Sequence, residues 1–503
     1  MKNEDKLLDV IGELDEALIP EMPLKETAVK TEVKASVKDK KKHHGKAFWI
    51  ELGVAAAAVI LAVAVAFPKL IRKKNKENPN MLLAEAVYPE MAKRPGDSME
   101  EMMSDDYDPK EHHRLIGEWR KSREEFSKQP EGYDTAYRAF LEKSTGAFAE
   151  EAGQENFVYS PLSLYLSMCI AAEAADGNTR QEILDVLGVP DIETLRTTAK
   201  ALFLANYVDD GASKSLLANS IWLNKDLKYK NETVERIATE YFSSVFSGDP
   251  TDEKYVDEFR KWINRQTDDL LTDYTDDLNM DEDLLMMIAS TINYYGKWGM
   301  PFDKDETKSG TFHAPGGDIT CDFMNKYEKF SCYEDDSYLS IELPINGNGK
   351  MRLILPDEDV PVEKLMKDKN FTDFLNNSYD RGLFSEAMVT LSLPKFDVSY
   401  KNDMIDELKK LGIHDAFNAQ RGDFSSIAEQ GTREFYVKQV EQDVRVMIDE
   451  EGVKGAAVTV WMMVAQCAPS EHYTMIFDRP FVFEIFSETG SLMFVGVVND
   501  PTA

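Results

Sequence analysis

Cysteine, histidine and carboxylate side chains commonly supply nucleophiles, bases and metal ligands, but they form no catalytic pattern in this sequence. The cysteines are Cys169, Cys321, Cys332 and Cys467, with no CxxC pair and no zinc-like spacing to a histidine. The histidines are scattered, and carboxylates are so frequent that their pairing carries little information. Neither a G-x-S-x-G motif nor a phosphate-binding glycine loop is present. The sequence therefore argues against an enzyme and against a metal site.

The charge balance excludes another class of function. The 503 residues include 58 Lys and Arg against 91 Asp and Glu, for a formal net charge of −33. Nucleic-acid binding requires clustered basic residues, so we expect no nucleic-acid partner. A hydrophobic share of 43% is typical of a globular protein with a sizeable core.

The spacing of apolar residues predicts helices in the first half of the globular part and strands in the second half. The predicted helices span residues 133–150, 161–174, 179–187, 192–207, 231–245, 253–271 and 402–411. The predicted strands lie near residues 217–224, 285–296, 337–344, 349–355, 388–400, 433–449, 472–478, 480–486 and 492–498. This order predicts an α+β fold with a mostly antiparallel sheet.

The N-terminal third predicts a membrane anchor. Residues 1–46 are charged, and residues 47–67 form an apolar run whose helical length of about 31 Å matches a hydrocarbon core of about 30 Å. Residues 68–131 are interpreted as a stalk or linker, and residues 132–503 as the globular domain. A signal peptide is the alternative, although no small-residue cleavage site follows the run. The prediction is a single-pass protein of the cell membrane, with a cytoplasmic tail and an extracellular C-terminal domain.

Short motifs across residues 132–501 resemble those of the serpin family. They include 156–163 (NFVYSPLS), where Ser160 and Pro161 also suit a helix start, 218–222 (ANSIW) and 291–302 (TINYYGKWGMPF). Further matches are 178–184, 342–344, 354–356, 393–396, 411–413, 423–425, 479–481 and 494–496. The resemblance implies the serpin fold, with helices packed on mostly antiparallel sheets and an exposed reactive-centre loop. Trp298 would lie at the top of the central sheet, where that loop enters. With the predicted anchor, the resemblance suggests a bacterial-type member of the family.

The segment 449–460 (DEEGVKGAAVTV) resembles the serpin hinge, which implies inhibition of serine proteases by a suicide-substrate mechanism. The protease cleaves the exposed loop, which then inserts into the central β-sheet as a new strand. An inserted strand needs its backbone N–H groups, and residues 450–468 contain no proline. If Val453 points inward, alternation sends Lys454 outward. The hinge residues that the resemblance implies are Glu450, Glu451, Gly452, Val453, Gly455, Ala456, Ala457 and Thr459.

The spacing of the family's hinge implies cleavage between Gln466 and Cys467, with Val464 and Ala465 as the alternative positions. No Arg or Lys lies near this bond, which disfavours trypsin-like proteases. The small and apolar residues around it favour elastase-like or subtilisin-like serine proteases as partners. No cofactor is expected, and the family implies a monomer.

The serpin fold also allows a different function. A non-inhibitory surface binding protein of the same fold is the alternative to inhibition. Val453 and Lys454 differ from the Thr and Glu that the family's hinge usually has at these positions, and Trp461 is larger than the usual residue.

Overall fold

The computed structural model describes residues 81–96, 107–149, 153–272, 280–281, 283–347, 349–376, 383–429, 435–453 and 471–503. Predictions that concern residues 1–80 or residues 454–470 therefore lie outside the described part of the chain.

The α-helices of the described residues precede, connect and cover the strands. They are α1 (Pro109–Ser127), α2 (Thr135–Ala149), α3 (Pro161–Ala174), α4 (Gly177–Leu187), α5 (Ile192–Asn206), α6 (Asn231–Glu240), α7 (Glu253–Thr267), α8 (Val362–Leu365), α9 (Lys369–Asn376) and α10 (Ile405–Leu411). Short 3-10 turns form at Lys304–Glu306 and Asp415–Phe417.

The first sheet contains the start of the predicted hinge. Its strands are β1 (Leu82–Ala84), β3 (Val208–Asp209), β4 (Lys214–Asn224), β5 (Ser243–Gly248), β6 (Met286–Lys297), β12 (Phe396–Asp403), β13 (Glu441–Ile448) and β14 (Gly452–Val453). Their order is β1-β5-β4-β6-β14-β13-β12, with β3 paired to β4. The long β4–β6 ladder is antiparallel, and β4 pairs in parallel with β5.

The second sheet packs against the same core. Its strands are β2 (Phe157–Tyr159), β7 (Lys308–Ala314), β8 (Gly317–Glu334), β9 (Tyr338–Ile345), β10 (Gly349–Pro356), β11 (Ser385–Pro394), β15 (His472–Ile476), β16 (Phe481–Phe486) and β17 (Leu492–Val498). Their order is β15-β11-β8-β9-β10-β16-β17-β2, with β7 paired to β8. All these pairs are antiparallel except β11 with β15. The α+β class and the mostly antiparallel sheets are confirmed.

Helix α3 begins where local sequence chemistry predicts a start. The Ser160 hydroxyl accepts a hydrogen bond of 3.3 Å from the Ser163 amide, and Pro161 needs no donor at the first helical position. The helix is buried along almost its whole length, and Cys169 within it is fully buried. Because apolar residues surround it on all sides, α3 forms the centre of the main core.

Helix α7 closes the outer face of the first sheet. Tyr255, Phe259 and Trp262 pack on Trp222 of β4 and Phe246 of β5. The rings of Trp222 and Phe246 are stacked, with centroids 4.1 Å apart. This separate aromatic cluster covers the sheet on the side opposite α3.

Among the differences from the pattern predicted by periodicity, two concern strands of the sheets. Residues 243–248 overlap the end of a predicted helix, but they form β5, which bonds to β4 on one side and β1 on the other. Residues 308–334 carry no predicted element and form β7 and β8. For β5 and for much of β8 the pairing partner lies far away in the sequence, so a local period does not reveal the strand.

Residues before the predicted domain boundary at residue 132 also contact the residues that follow this boundary. Strand β1 pairs with β5, and the buried Arg123 of α1 binds Asp210 at 3.2 Å and also contacts Gly347 and Glu488. Trp119 Nε1 donates to the same Asp210 carboxylate at 2.9 Å. The boundary itself stays a prediction.

The predicted location in a cell membrane is corrected by the structure. Among the helices of the described residues, none combines the length and apolar character needed to cross a bilayer. The segment 47–67, on which that prediction rested, lies outside the described residues. The membrane location is therefore not retained.

Candidate functional site

The hinge begins inside the first sheet. Val453 of β14 pairs with Ile448 of β13 and with Gly296 of β6, antiparallel to both strands. Gly452 lies opposite Lys297. Val453 is 3% exposed and joins the main core. The chain thus enters the sheet between β6 and β13 at this point.

The turn before β14 is fixed by hydrogen bonds within the turn, from both the Asp449 side chain and the backbone. Asp449 Oδ1 accepts hydrogen bonds from the amides of Glu451 (2.8 Å) and Gly452 (3.2 Å), and the Asp449 amide donates to the Gly452 carbonyl at 3.1 Å. A Cβ atom on Gly452 would lie 2.3 Å from the Gly296 carbonyl oxygen. Only glycine allows so close an approach of the two backbones.

Trp298 and Phe302 hold this turn from the other side. The Trp298 amide donates to the Glu451 carbonyl at 3.1 Å, and its indole Nε1 donates to the Asp449 carbonyl at 2.8 Å. The Phe302 amide donates to the Glu450 carbonyl at 2.9 Å. Three consecutive carbonyls of the hinge therefore have partners in the segment that follows β6.

The two hinge carboxylates also have specific partners. Glu450 Oε1 accepts from Thr307 Oγ1 at 2.8 Å and pairs with Lys395 Nζ at 3.1 Å. Burial alone would raise the pKa of Glu450, but these contacts hold it below its ordinary value. Glu451 pairs with Lys304 at 2.7 Å, and the Lys304 ammonium lowers the pKa of Glu451. Both groups are therefore anionic near neutral pH, which keeps the turn anchored.

The facing edges of β6 and β13 are joined at one end only. Residues Met286–Tyr295 of β6 pair with β4 on one side. On the other side, β14 is the only described strand that bonds to both β6 and β13. A narrow cavity lined by Ser290, Gln442 and Val444 lies between the middle parts of these strands.

The structure brings together some of the residues predicted from the sequence. We call this group the hinge cluster, and it contains Trp298, Glu450, Glu451, Gly452 and Val453. The other predicted residues lie outside the described part of the chain, namely Gly455, Ala456, Ala457, Thr459, Val464, Ala465, Gln466 and Cys467.

The cluster also contains residues to which the sequence analysis gave no role. They are Phe302, Lys304, Thr307 and Lys395. Phe302 ends the motif 291–302, and Lys395 lies within the motif 393–396. The sequence therefore marked both positions as part of family motifs, but nothing in it connected these motifs to Glu450.

Within the residues that the structure describes, no group of three or more His, Cys, Asp or Glu side chains is placed to hold a metal ion. Cys169, Cys321 and Cys332 are buried as free thiols. Burial raises the pKa of the Cys321 and Cys332 thiols to about 11, so both are protonated at neutral pH.

The family model and the curated relatives that match this chain point to the same protein family. The model of the family described as "Serpin (serine protease inhibitor)" matches residues 136–501. An uncharacterized serpin-like protein of Thermococcus kodakarensis is 27% identical over 369 residues, which cover 70% of this chain and 83% of that protein. Plasminogen activator inhibitor 1 of Neovison vison is 27% identical over 372 residues, covering 70% of this chain and 89% of that protein.

Solved structures show the same architecture. The native thermophilic serpin tengpin matches with a TM-score of 0.63 and 25% identity, covering 73% of this chain and 94% of tengpin. Human thyroxine-binding globulin, solved in complex with thyroxine, matches with a TM-score of 0.63 and 21% identity, covering 73% of this chain and all of that chain. The family match extends over most of the sequence and includes the hinge, Trp298 and every described strand of the two sheets except β1. The chain belongs to the serpin family.

Proposed function

We propose that this serpin inhibits serine proteases by trapping them, with cleavage of the loop after the hinge followed by insertion of that loop between β6 and β13. The observation that carries the proposal is the position of Gly452–Val453 between these strands. The protein would be consumed in the reaction and would not turn over as an enzyme.

The register of β14 supports insertion. Continuing the antiparallel pairing from Val453 would set Gly455 opposite Tyr294 and Val446, and Ala457 opposite Ile292 and Val444. At the far end, Met463 would face Met286, the first residue of β6. Ten loop residues would thus match the ten residues of β6 before its contact with β14, which is the length one added strand requires.

The burial of the flanking side chains indicates which loop residues would enter the core. Directly opposed residues of antiparallel strands point to the same face. Val444, Val446 and Ile448 are each less than 7% exposed, and Val453 lies with them. Gly455, Ala457 and Thr459 would share this face, whereas Lys454 would point away from it. A slip of one residue would bury the Lys454 charge at a cost of several kcal/mol.

The proposed scissile bond is Gln466–Cys467, with cleavage next to Val464 or Ala465 as the alternatives. The small and apolar residues there favour elastase-like or subtilisin-like proteases, because a trypsin-like pocket requires Arg or Lys. Membership of a family described as serine protease inhibitors supports this class of partner.

The test is to incubate the purified protein with an elastase-like protease and to analyse the mixture on denaturing gels. A band at the summed mass that survives denaturation would indicate a trapped acyl-enzyme, and the sequence of the released C-terminal peptide would identify the bond. Cleavage without such a band, with elastase-, subtilisin- and chymotrypsin-like enzymes alike, would contradict the proposal. The protein would then be a non-inhibitory member of the family.

A further inference from the structure

A cavity of about 210 Å³ lies beside the hinge cluster and shares Trp298 and Phe302 with it. Its apolar walls include Trp298, Phe302, Phe330 and Leu343, each less than 8% exposed. Met300, which is 42% exposed, stands at the mouth. The cavity therefore opens to solvent and offers aromatic surfaces to an entering molecule.

The polar lining of the cavity is predominantly basic. Lys326, Lys329 and Lys350 line it together with two carboxylates, Glu342 and Glu386. Lys350 pairs with Glu342 at 2.6 Å, and Lys329 pairs with Glu386 at 3.0 Å. These pairs neutralise two of the three ammonium groups and leave the charge of Lys326 uncompensated by the cavity lining.

Lys326 is bound only by uncharged groups. Its ammonium donates to the main-chain carbonyls of Met300 (2.5 Å) and Pro301 (3.0 Å), and it lies 5.3 Å from the centroid of the Phe302 ring. Within the described ranges it forms no ion pair. Burial lowers the pKa of Lys326, and the nearby Glu328 carboxylate, which forms no ion pair with it, only partly opposes this shift.

We propose that this cavity is a binding site for a small aromatic monocarboxylate. The carboxylate accepts a hydrogen bond from Lys326, whose ammonium has three donors and uses two of them on Met300 and Pro301. The aromatic body packs against Trp298, Phe302 and Phe330. A neutral ligand of the same shape gains the apolar contacts but leaves the Lys326 charge without a partner.

A ligand in this cavity would also affect the hinge, an inference that rests on the proposed inhibitory function. Trp298 and Phe302 form the cavity wall and also hold the carbonyls of Asp449, Glu450 and Glu451. A bound ligand stabilises this arrangement of the hinge and so opposes its movement during loop insertion. Ligand binding itself does not depend on loop insertion, so the two proposals can fail separately.

The experiment titrates the full-length protein with 1-naphthoate by isothermal calorimetry. The neutral isostere 1-naphthylmethanol is the ligand control, and Lys326→Met, which keeps the apolar stem, is the test variant. Lys308→Met removes an exposed lysine that is not part of the cavity and serves as the matched protein control.

We expect one molecule of 1-naphthoate to bind per chain, with affinity reduced about tenfold or more for the alcohol and for Lys326→Met, since each loses one charge-assisted hydrogen bond. Lys308→Met should bind as the unaltered protein does. Absence of binding to the unaltered protein, or equal affinity for Lys326→Met, would overturn the proposal. An unchanged thermal midpoint for Lys326→Met would show that the variant is folded.

Discussion

The indole Nε1 of Trp298 donates a 2.8 Å hydrogen bond to the main-chain carbonyl of Asp449, which joins the end of β6 to the turn that starts the hinge. The Trp298 ring is 1% exposed and packs edge-on against Phe302, with centroids 6.2 Å apart. A single buried side chain therefore connects the edge of the first sheet, the hinge and the cavity wall.

Replacing this indole should loosen the hinge. In Trp298→Phe the Asp449 carbonyl loses its donor, and we expect the free energy of unfolding to fall by about 1 kcal/mol. Trp222→Phe also removes a buried indole donor, which bonds to Ser220 Oγ far from the hinge. If Trp298 holds the hinge, only Trp298→Phe should also change the fraction of protease trapped; equal trapping by both variants would argue against this role.

The face assignment of the loop predicts contrasting results at an inward and an outward position. Ala457→Glu would bring a carboxylate into the core beside Val444 and Ile292, so we expect the trapped fraction to fall at least about tenfold, with cleavage continuing. Lys454→Glu changes the charge on the outward face and should leave trapping nearly unchanged. Denaturing gels at a fixed protease ratio measure both, and the reverse order of effects would mean that the register is shifted by one residue.

Gly452 should not tolerate even one methyl group. Gly452→Ala would set a Cβ atom 2.3 Å from the Gly296 oxygen, and the resulting backbone shift should cost about 1–3 kcal/mol of unfolding free energy. A Cβ atom on Gly146 of α2 would instead point into open space, so Gly146→Ala should stabilise the helix by about 0.5–1 kcal/mol. Thermal unfolding of the two variants tests this contrast, which fails if both shift in the same direction.

Arg123 should contribute much more to stability than a typical arginine of the same helix. Its side chain is 10% exposed and faces Asp210, which is 1% exposed, so Arg123→Met leaves a buried carboxylate without its cation. We expect a loss of about 3 kcal/mol. Arg114, which pairs with Glu118 on the exposed face of α1, is the control, with an expected loss below about 1 kcal/mol for Arg114→Met. Similar midpoints in urea for the two variants would contradict the prediction.

Glu484 predicts a pH dependence of stability near neutrality. Burial raises the pKa of its carboxyl to about 7, although Arg352, at 3.2 Å, opposes the shift. The folded state therefore holds this proton more tightly than the unfolded chain. The resulting stabilisation is complete below pH 4.5 and is lost as the pH rises through 7, for a total of about 3 kcal/mol.

The variant Glu484→Gln, which does not titrate, tests this assignment. Thermal midpoints measured between pH 5 and pH 8 should fall less steeply with pH for the variant than for the unaltered protein. Identical slopes would show that Glu484 does not titrate in this range.

Local chemistry was sufficient for several parts of this protein. Ser160 and Pro161 predicted the start of α3, because capping depends on neighbours only a few residues away. The motifs predicted the serpin family, and the order of helices and strands predicted the α+β class; the family match and the sheets confirm both. The sequence also indicated Trp298 and the residues from Glu450 to Val453 as parts of one site.

Other features depend on contacts between distant segments. Residues 243–248 form a strand because β4 and β1 supply partners on both sides, and these partners lie outside any local window. Thr307 and Lys395 reach Glu450 from two separate segments, so their role depends on how the chain brings these segments together. Likewise, Lys326 has no ion pair in the cavity because the two carboxylates of the lining lie beside Lys329 and Lys350. Short motifs were thus enough to identify the family and the start of the hinge, because their chemistry is local. The strand partners and the placement of charge follow from the packing of the two sheets, which no local pattern contains.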